Sequence, residues 1–363
     1  MANNKSALIA MSGGVDSSVA AKLMIDCGFR CEGTTMRLYR NEALGLSCYR
    51  TCCSQQDIED AAEVAFQLDI PYEVSDFTED FHRLIIDKFI RVYESGGTPN
   101  PCIDCNRYIK FDKLLQFAAQ RGLYYIVTGH YARIEQDPVS GRYLLKKALD
   151  LTKDQSYVLY SMTQEQLSHT LMPLGTWKKD DVRKLAMRLG FVNARKHDSQ
   201  DICFVPDGDY GTFMEQYTGQ KYPQGNFIDV NGNVIGKHQG AVRYTIGQRK
   251  GLGLPMGEPV YVCGKDMLRN TVTVAPQAAL YTRRLIAEDM NYISIEGLEA
   301  PLRLKARTRY HQSEQWVTVF PKNNKLISIE FDEPQRAVTP GQAVVLYNGD
   351  TVVGGGSIKE VQL

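Results

Sequence analysis

The chain has 363 residues, of which 43% are apolar and 23% charged, with 42 basic against 42 acidic side chains. That length calls for two or three domains, each with its own core, and no apolar run approaches the roughly 18–20 residues that cross a bilayer. A formal net charge of zero gives no hint of nucleic acid, so any such partner must be held by a local basic patch.

The first residues lack a signal-peptide layout, which places the protein in the cytoplasm. A short apolar stretch over 5–11 reads as a buried strand running into a glycine loop, followed by a helix over 16–27. A second strand is expected over 32–38. Ser54 and Asp57 resemble a capping box, with Ile58, Ala61, Ala62, Ala65 and Leu68 forming an apolar stripe at helical spacing. A strand over 71–77, a helix over 78–94 closed by Gly96 and Gly97, a helix over 107–121 and a strand over 124–128 follow. This alternation predicts an α/β fold: a doubly wound, mostly parallel, Rossmann-like sheet covered on both faces. One more amphipathic helix spans 178–189. Beyond about Asp207 glycine and proline become frequent. From about 260 onward, short alternating runs over 271–275, 302–310, 316–320, 327–331 and 343–347 predict a small β-barrel or sandwich, of which the barrel is the reading taken. The domains so drawn are 1–207, a mixed central 208–278, and a C-terminal barrel at 279–363.

Ser12-Gly13-Gly14-Val15-Asp16-Ser17-Ser18 lies between the first strand and first helix. Glycines permit close approach of backbone N–H groups to a phosphate, and the helix N-terminus adds a favourable dipole. Ser12, Ser17 and Ser18 can donate further hydrogen bonds, and Asp16 can help hold Mg²⁺ beside the phosphates. The bland reading is a tight turn with a serine cap. The loop lacks the Gly-Lys-Ser/Thr ending of a Walker A motif. It resembles the pyrophosphatase loop of the ATP-pyrophosphatases, which split ATP to AMP and pyrophosphate.

There are nine cysteines. An odd count and a reducing compartment argue against a disulfide framework. Cys105 is expected in a loop before the 107–121 helix, where the dipole would favour thiolate. Cys203, in Ile202-Cys203-Phe204, is the second reactive candidate. Cys27, Cys31 and Cys263 read as buried small hydrophobes. Two metal alternatives stay open. One is zinc on Cys102 and Cys105 with Cys48, Cys52 or Cys53. The other is an iron–sulfur cluster on Cys102, Cys105 and Cys203 with one iron open for sulfide.

The nucleic-acid signal is strongest at 303–311. On a strand, Arg303, Lys305, Arg307, Arg309 and His311 share one face over an apolar underside, a basic ladder suited to a phosphate backbone; the alternative is a solvated face beside acids such as Glu314. Arg243, Arg249 and Lys250 form a second basic group.

Seven pieces in order, AMSGGVDSS, TPNPCIDCNRYIKF, VTGHYAR, LTKDQSYVL, SQDICFVPDGDY, GQRKGLG and PGQAVV, span nearly the whole chain, which resembles the bacterial tRNA-specific 2-thiouridylases. The resemblance implies ATP-dependent 2-thiolation of a tRNA uridine, in tRNAs for lysine, glutamate and glutamine. It implies Cys105 as the nucleophile and Cys203 as the persulfide carrier. It implies ATP contacts at Ala10, Met11, Ser12, Gly13, Gly14, Val15, Asp16, Ser17, Met36 and Gly129, with core packing as the bland reading of Met36. It associates tRNA with His130, Lys153, Asp154, Gln155, Arg309, Tyr310 and Gln342, to which the ladder adds Arg307. The partners implied are tRNA and a sulfur-donor protein, either a cysteine desulfurase or a persulfide relay protein, with no membrane. The rival readings are another ATP-pyrophosphatase, such as a lysidine-type synthetase, and a non-catalytic cysteine-metal RNA-binding protein. The first does not need Cys105 and Cys203; the second leaves the glycine loop unemployed.

Overall fold

The structure, a computed structural model, describes residues 5–39, 54–197, 202–205, 208–323 and 326–362. Two compact units emerge. The first comprises Met1–Ile85, Pro101–Gly208 and Gly349–Val353; the second comprises Ile86–Asn100, Asp209–Asn348 and Gly354–Leu363.

The first unit carries seven strands: β1 (Ser6–Ala10), β2 (Arg30–Arg37), β3 (Tyr72–Asp76), β4 (Tyr125–Val127), β5 (Ala132–Gln136), β6 (Tyr143–Lys147) and β7 (Thr170–Leu171). Five of them form a parallel sheet in the order β3-β2-β1-β4-β7. The chain moves outward from β1 to β2 and β3, then returns to β4 on β1's other side. This reversal creates a crevice at the carboxyl ends of β1 and β4, where open α/β sheets bind ligands. Helix α1 (Val15–Asp26) follows β1, and α2 (Gln55–Gln67) precedes β3. The α2 cap is as read: the Ser54 side chain accepts from the Asp57 N–H, and the Asp57 carboxylate accepts from the Ser54 N–H. Ala7, Ile9, Val19, Ala61, Val64 and Val127 are buried in one core; fully burying a valine or isoleucine side chain stabilises by about 1.5–3 kcal/mol. The β5–β6 hairpin pairs Lys146 with Thr351.

One expectation is corrected here. The residues 101–106, read as a loop, are helical: helix runs from Pro101 through Asp104, continues as a π-helix over Cys105–Lys113 and ends as α-helix over Leu114–Gln120. Proline at the first helical position loses no hydrogen bond, and its fixed φ suits the helix start. Cys105 therefore sits one turn inside a helix. The helix expected over 78–94 also contains a π-helical stretch, His82–Ile86, between Thr78–Phe81 and Asp87–Glu94. Such i→i+5 turns are rare and concentrate at functional sites.

The second unit holds β8 (Gly225–Ile228), β9 (Val234–His238), β10 (Tyr261–Asp266) and β11 (Thr271–Ala275) in a sheet ordered β10-β11-β8-β9. Its other sheet contains β12 (Tyr281–Tyr292), β13 (Leu302–Arg307), β14 (Gln315–Asn323), β15 (Leu326–Arg336), β16 (Ala343–Asn348) and β17 (Thr351–Gln362, of which Gly354 onward belongs to this unit), ordered β12-β15-β14-β13-β16-β17, with a β12–β17 pairing that closes the barrel. No helix among the described residues is long and apolar enough to cross a membrane.

Candidate functional site

The glycine loop lies at the carboxyl end of β1, on the crevice. Gly13 has φ +71°, a left-handed conformation, and a Cβ there would come within 2.3 Å of the Asp57 carbonyl oxygen. Only glycine fits both conditions. Gly14 caps α1 in an extended conformation. Its carbonyl accepts from the hydroxyls of Ser17 (3.0 Å) and Ser18 (3.1 Å), while the Ser12 N–H donates to Ser17 Oγ (3.2 Å). The first N–H groups of α1 have no intrahelical partner, so this end can receive an anion. Met11 is buried in the core, whereas Met36 is half-buried at the end of β2. Gly129 closes the other wall: a Cβ there would lie 2.8 Å from the Asp16 carbonyl carbon and the Ser17 nitrogen.

Two lysines that sequence reasoning missed brace this loop. Lys179 is buried and donates to both Asp16 oxygens (2.8 and 2.7 Å), and Tyr131 donates its hydroxyl to Asp16 Oδ1 (2.8 Å). Asp16 thus meets an ammonium first; a Mg²⁺ carried on substrate phosphates would have to share that carboxylate. Lys196 donates to Asp57 Oδ1 and Asp60 Oδ2, each at 2.6 Å, and to the Gly13 carbonyl at 3.3 Å. Burial opposes its charge, but the hydrogen bonds and charges of Asp57 and Asp60 outweigh that, and Lys196 titrates above an ordinary lysine. Asn193, also buried, donates from Nδ2 to the Gly13 carbonyl (3.1 Å) and to Ser18 Oγ (2.9 Å). Tyr131 lies inside VTGHYAR, but a tyrosine in that run carries no signal of its own, and Asp57 was legible only as a cap.

Both candidate thiols belong to this same unit. Cys105 is buried; Cys102, one turn earlier, is exposed. Asn106, the next residue, donates from Nδ2 to the Val158 carbonyl (2.9 Å), fastening the cysteine helix to the Ser156–Leu159 turn. Cys203 is half-buried in a turn closed by the Val205 N–H on the Ile202 carbonyl (2.9 Å), and Tyr39 donates its hydroxyl to the Cys203 carbonyl (2.6 Å). Phe204 is buried edge-on against Phe81, with ring centroids 5.7 Å apart. The Thr78–Phe81 helix also touches the Cys105–Lys113 helix, so one short helix supports both cysteine segments.

The other cysteines divide. Cys31 is buried, and burial pushes its thiol up to about 11. Cys263 is half-buried and also raised by burial. Cys27, expected inside, is exposed: it is the residue that ends α1, past the last turn packed on the sheet. Cys48, Cys52 and Cys53 lie outside the described residues. Among the described residues no three Cys, His, Asp or Glu side chains gather as a metal site.

Several residues associated with RNA have structural duties. Asp154 is buried and accepts from the N–H groups of Ala148 (3.1 Å) and Ser156 (3.2 Å). Gln155 accepts from the Tyr131 N–H at 2.9 Å. Thr128 Oγ1 lies 2.8 Å from His130 Nδ1, and burial, with Lys110 nearby, pushes the His130 pKa well below that of ordinary histidine. It would meet a nucleotide as a neutral ring.

In the second unit Gln342 donates to the carbonyls of Thr98 (3.0 Å) and Pro99 (3.2 Å). The ladder on β13 stops at Arg307, and 308–311 form a turn, so Arg309 and His311 are not in its row. Arg303 pairs with Asp332 and Arg307 with Glu314 (3.0 Å). Arg309 donates to the Ala337 carbonyl at 2.6 Å, and Lys305 lies over the Trp316 ring. Arg243 is held by Asp209 (3.2 Å) and Glu215 (3.0 Å).

Comparison with known proteins covers nearly the whole chain. Residues 5–207 match the family profile described as the tRNA methyl transferase HUP domain, 211–276 its PRC-barrel domain, and 282–358 the aminomethyltransferase beta-barrel domain. The tRNA-specific 2-thiouridylase MnmA of Clostridioides difficile is 47% identical over 357 residues, covering 98% of this chain and 99% of that protein. Its namesake from Symbiobacterium thermophilum is 49% identical over 359 residues, covering 98% and 92%. At such identity over nearly the full length, this chain belongs to the tRNA-specific 2-thiouridylase family.

Proposed function

We propose that this protein is a tRNA sulfurtransferase that uses ATP to replace the C2 oxygen of the wobble uridine with sulfur. The observation that carries the reading is an anion-receiving loop at the β1 crevice in the same unit as two cysteines whose segments share the Thr78–Phe81 helix. The C2 oxygen is a poor leaving group. Its attack on the α-phosphorus of ATP expels pyrophosphate and converts it to an adenylate that departs as AMP. Backbone N–H groups at the loop and the α1 N-terminus would receive the phosphates, and Met36 and Gly129 would line the nucleotide. Mg²⁺ bound to the phosphates would supply charge neutralisation next to Asp16.

Sulfur arrives on Cys203 as a persulfide from a donor protein, a cysteine desulfurase or a persulfide relay. The terminal sulfur forms a bond to C2 as the C2–O bond to AMP breaks. The Cys105 thiolate then attacks Cys203 Sγ, and the inter-sulfur bond breaks with its electron pair moving to the uridine sulfur. A Cys105–Cys203 disulfide remains, to be reduced by an external thiol. Residues 1–207 serve as the ATP-pyrophosphatase domain; 208–278 and the barrel at 279–363 contact tRNA. His130, Lys153, Asp154, Gln155, Arg307, Arg309, Tyr310 and Gln342 are assigned to the tRNA side, with Asp154 and Gln155 acting by shaping their loop.

The test measures tRNA-dependent pyrophosphate release and thiolation with a persulfide donor. Cys105→Ser and Cys203→Ser should each lose thiolation while binding ATP normally. An active Cys105→Ser enzyme sinks the assignment. No pyrophosphate release in the wild type would point to a non-catalytic RNA-binding protein, and activity that needs stoichiometric iron after anaerobic purification would overturn the persulfide scheme.

A further inference from the structure

The Gly13 carbonyl is the meeting point of three segments remote in sequence. Lys196 reaches it at 3.3 Å and Asn193 at 3.1 Å, while Asp57, at the start of α2, backs the Gly13 Cα and pairs with the same Lys196. Three physical consequences follow. First, the peptide joining Gly13 to Gly14 is trans, so its C=O and N–H point in opposite directions. With the carbonyl drawn toward Lys196 and Asn193, the Gly14 N–H is aimed away from them. Second, Gly13 is buried against α2 whereas Gly14 is half-exposed, so the side away from α2 is the open one. Third, a left-handed glycine has other accessible conformations, and rotating this peptide would turn an acceptor oxygen toward an incoming phosphate. Two donors on one carbonyl, one of them charged, oppose that rotation.

We propose that Lys196 is a positioning residue for the nucleotide: its ammonium, anchored by Asp57 and Asp60, fixes the Gly13 carbonyl inward so that the Gly14 N–H faces the phosphate. Asn193 supplies the second donor to the same carbonyl. This deepens the proposed function and rests on the loop being the ATP site. Lys196 does not touch the substrate in this role; it acts through the backbone. The alternative is that Lys196 only neutralises two carboxylates and so holds α2 in place.

Calorimetric titration with ATP and with tRNA separates the two roles. A triple variant, Lys196→Met with Asp57→Asn and Asp60→Asn, removes the cation and the charges it neutralises while keeping side-chain size. If Lys196 positions the loop, the folded triple variant binds ATP about tenfold or more weakly, the scale of a lost charge-assisted hydrogen bond, and binds tRNA as the wild type does. Lys196→Arg keeps a fixed cation with donors to spare and should stay within about threefold of wild-type ATP affinity. Wild-type ATP affinity in the folded triple variant overturns the inference, as does an arginine variant as weak as the triple. Should the triple variant fail to fold, Asn193→Ser decides, because it withdraws the second donor from the same carbonyl: unaltered ATP affinity overturns the inference and a loss supports it. Absence of ATP binding in the wild type overturns the underlying reading, and this inference with it.

Discussion

Gly13→Ala and Gly14→Ala make a matched pair, one methyl group placed on adjacent residues of the same loop. At Gly13 the three atoms nearest the added Cβ are all backbone, the Asp57 oxygen at 2.3 Å, its Cα at 2.7 Å and its carbonyl carbon at 2.8 Å, and φ is +71°. At Gly14 the added Cβ meets only Ser12 Oγ at 3.4 Å, and φ is −91°. A left-handed alanine costs roughly 1–2 kcal/mol. The overlap must push the first turn of α2 outward, at about 1–3 kcal/mol by analogy with overpacked cores. Movement of α2 also disturbs the Asp57–Lys196 pair. Gly13→Ala should therefore lose about 2–5 kcal/mol, whereas Gly14→Ala should stay within about 1 kcal/mol of wild type because an extended φ suits alanine. Urea unfolding followed by tyrosine and tryptophan fluorescence measures the difference. ATP binding should fall in both, because a methyl at either position crowds the phosphate approach. If the two variants unfold at the same urea concentration, the close packing of Gly13 on α2 is not what holds this loop.

Three further outcomes follow from the same geometry. His130 has its pKa lowered in the fold, so below about pH 6.5 the unfolded chain binds a proton that the folded one refuses. Its contribution is fully present above that pH and is lost as pH falls toward the folded value, at up to about 1.4 kcal/mol per pH unit; His130→Asn should flatten this part of the stability profile, and an unchanged profile would mean the ring is not held neutral. Neutralising Arg307 and Arg309 as glutamines should weaken tRNA binding and reduce the log–log salt slope by about one for each phosphate contact removed. Because Arg307 pairs with Glu314, Glu314→Gln is the companion control, and a slope unchanged in the arginine variants would move the RNA off this face. Lys179→Met leaves Asp16 with Tyr131 as its remaining donor among the interactions described above, and Asp16 then becomes a better Mg²⁺ ligand; the Mg²⁺ concentration for half-maximal pyrophosphate release should drop, and a rise would show that the ammonium assists the metal.

The sequence was legible where one physical signal dominated. β1 is apolar from Ala7 to Ala10 because both faces of a central parallel strand are covered, and the Ser54–Asp57 cap is a local device readable from four residues. Legibility failed where structure depends on partners remote in sequence. β17 contains Gly354, Gly355 and Gly356, which by propensity argue against a strand. In the fold two of them are required: a Cβ on Gly354 would lie 2.4 Å from the Asn291 backbone oxygen, and one on Gly356 would lie 2.6 Å from the Glu288 backbone oxygen. β12 itself is hidden because its register shifts twice against β17, which breaks the period of two on which strand recognition rests. The site behaves in the same way. Glycines and serines after a strand point to an anion loop, but the groups that fix this one are Lys179, on the Asp16 carboxylate, and Asn193 and Lys196, on the Gly13 carbonyl, more than 150 residues further along. A lone lysine on a polar stretch carries no sign of its partner, and a capping aspartate gives no hint that its other oxygen holds a cation. What the sequence exposes is therefore the chemistry offered to the ligand; the apparatus that orients it is visible only once the chain has folded.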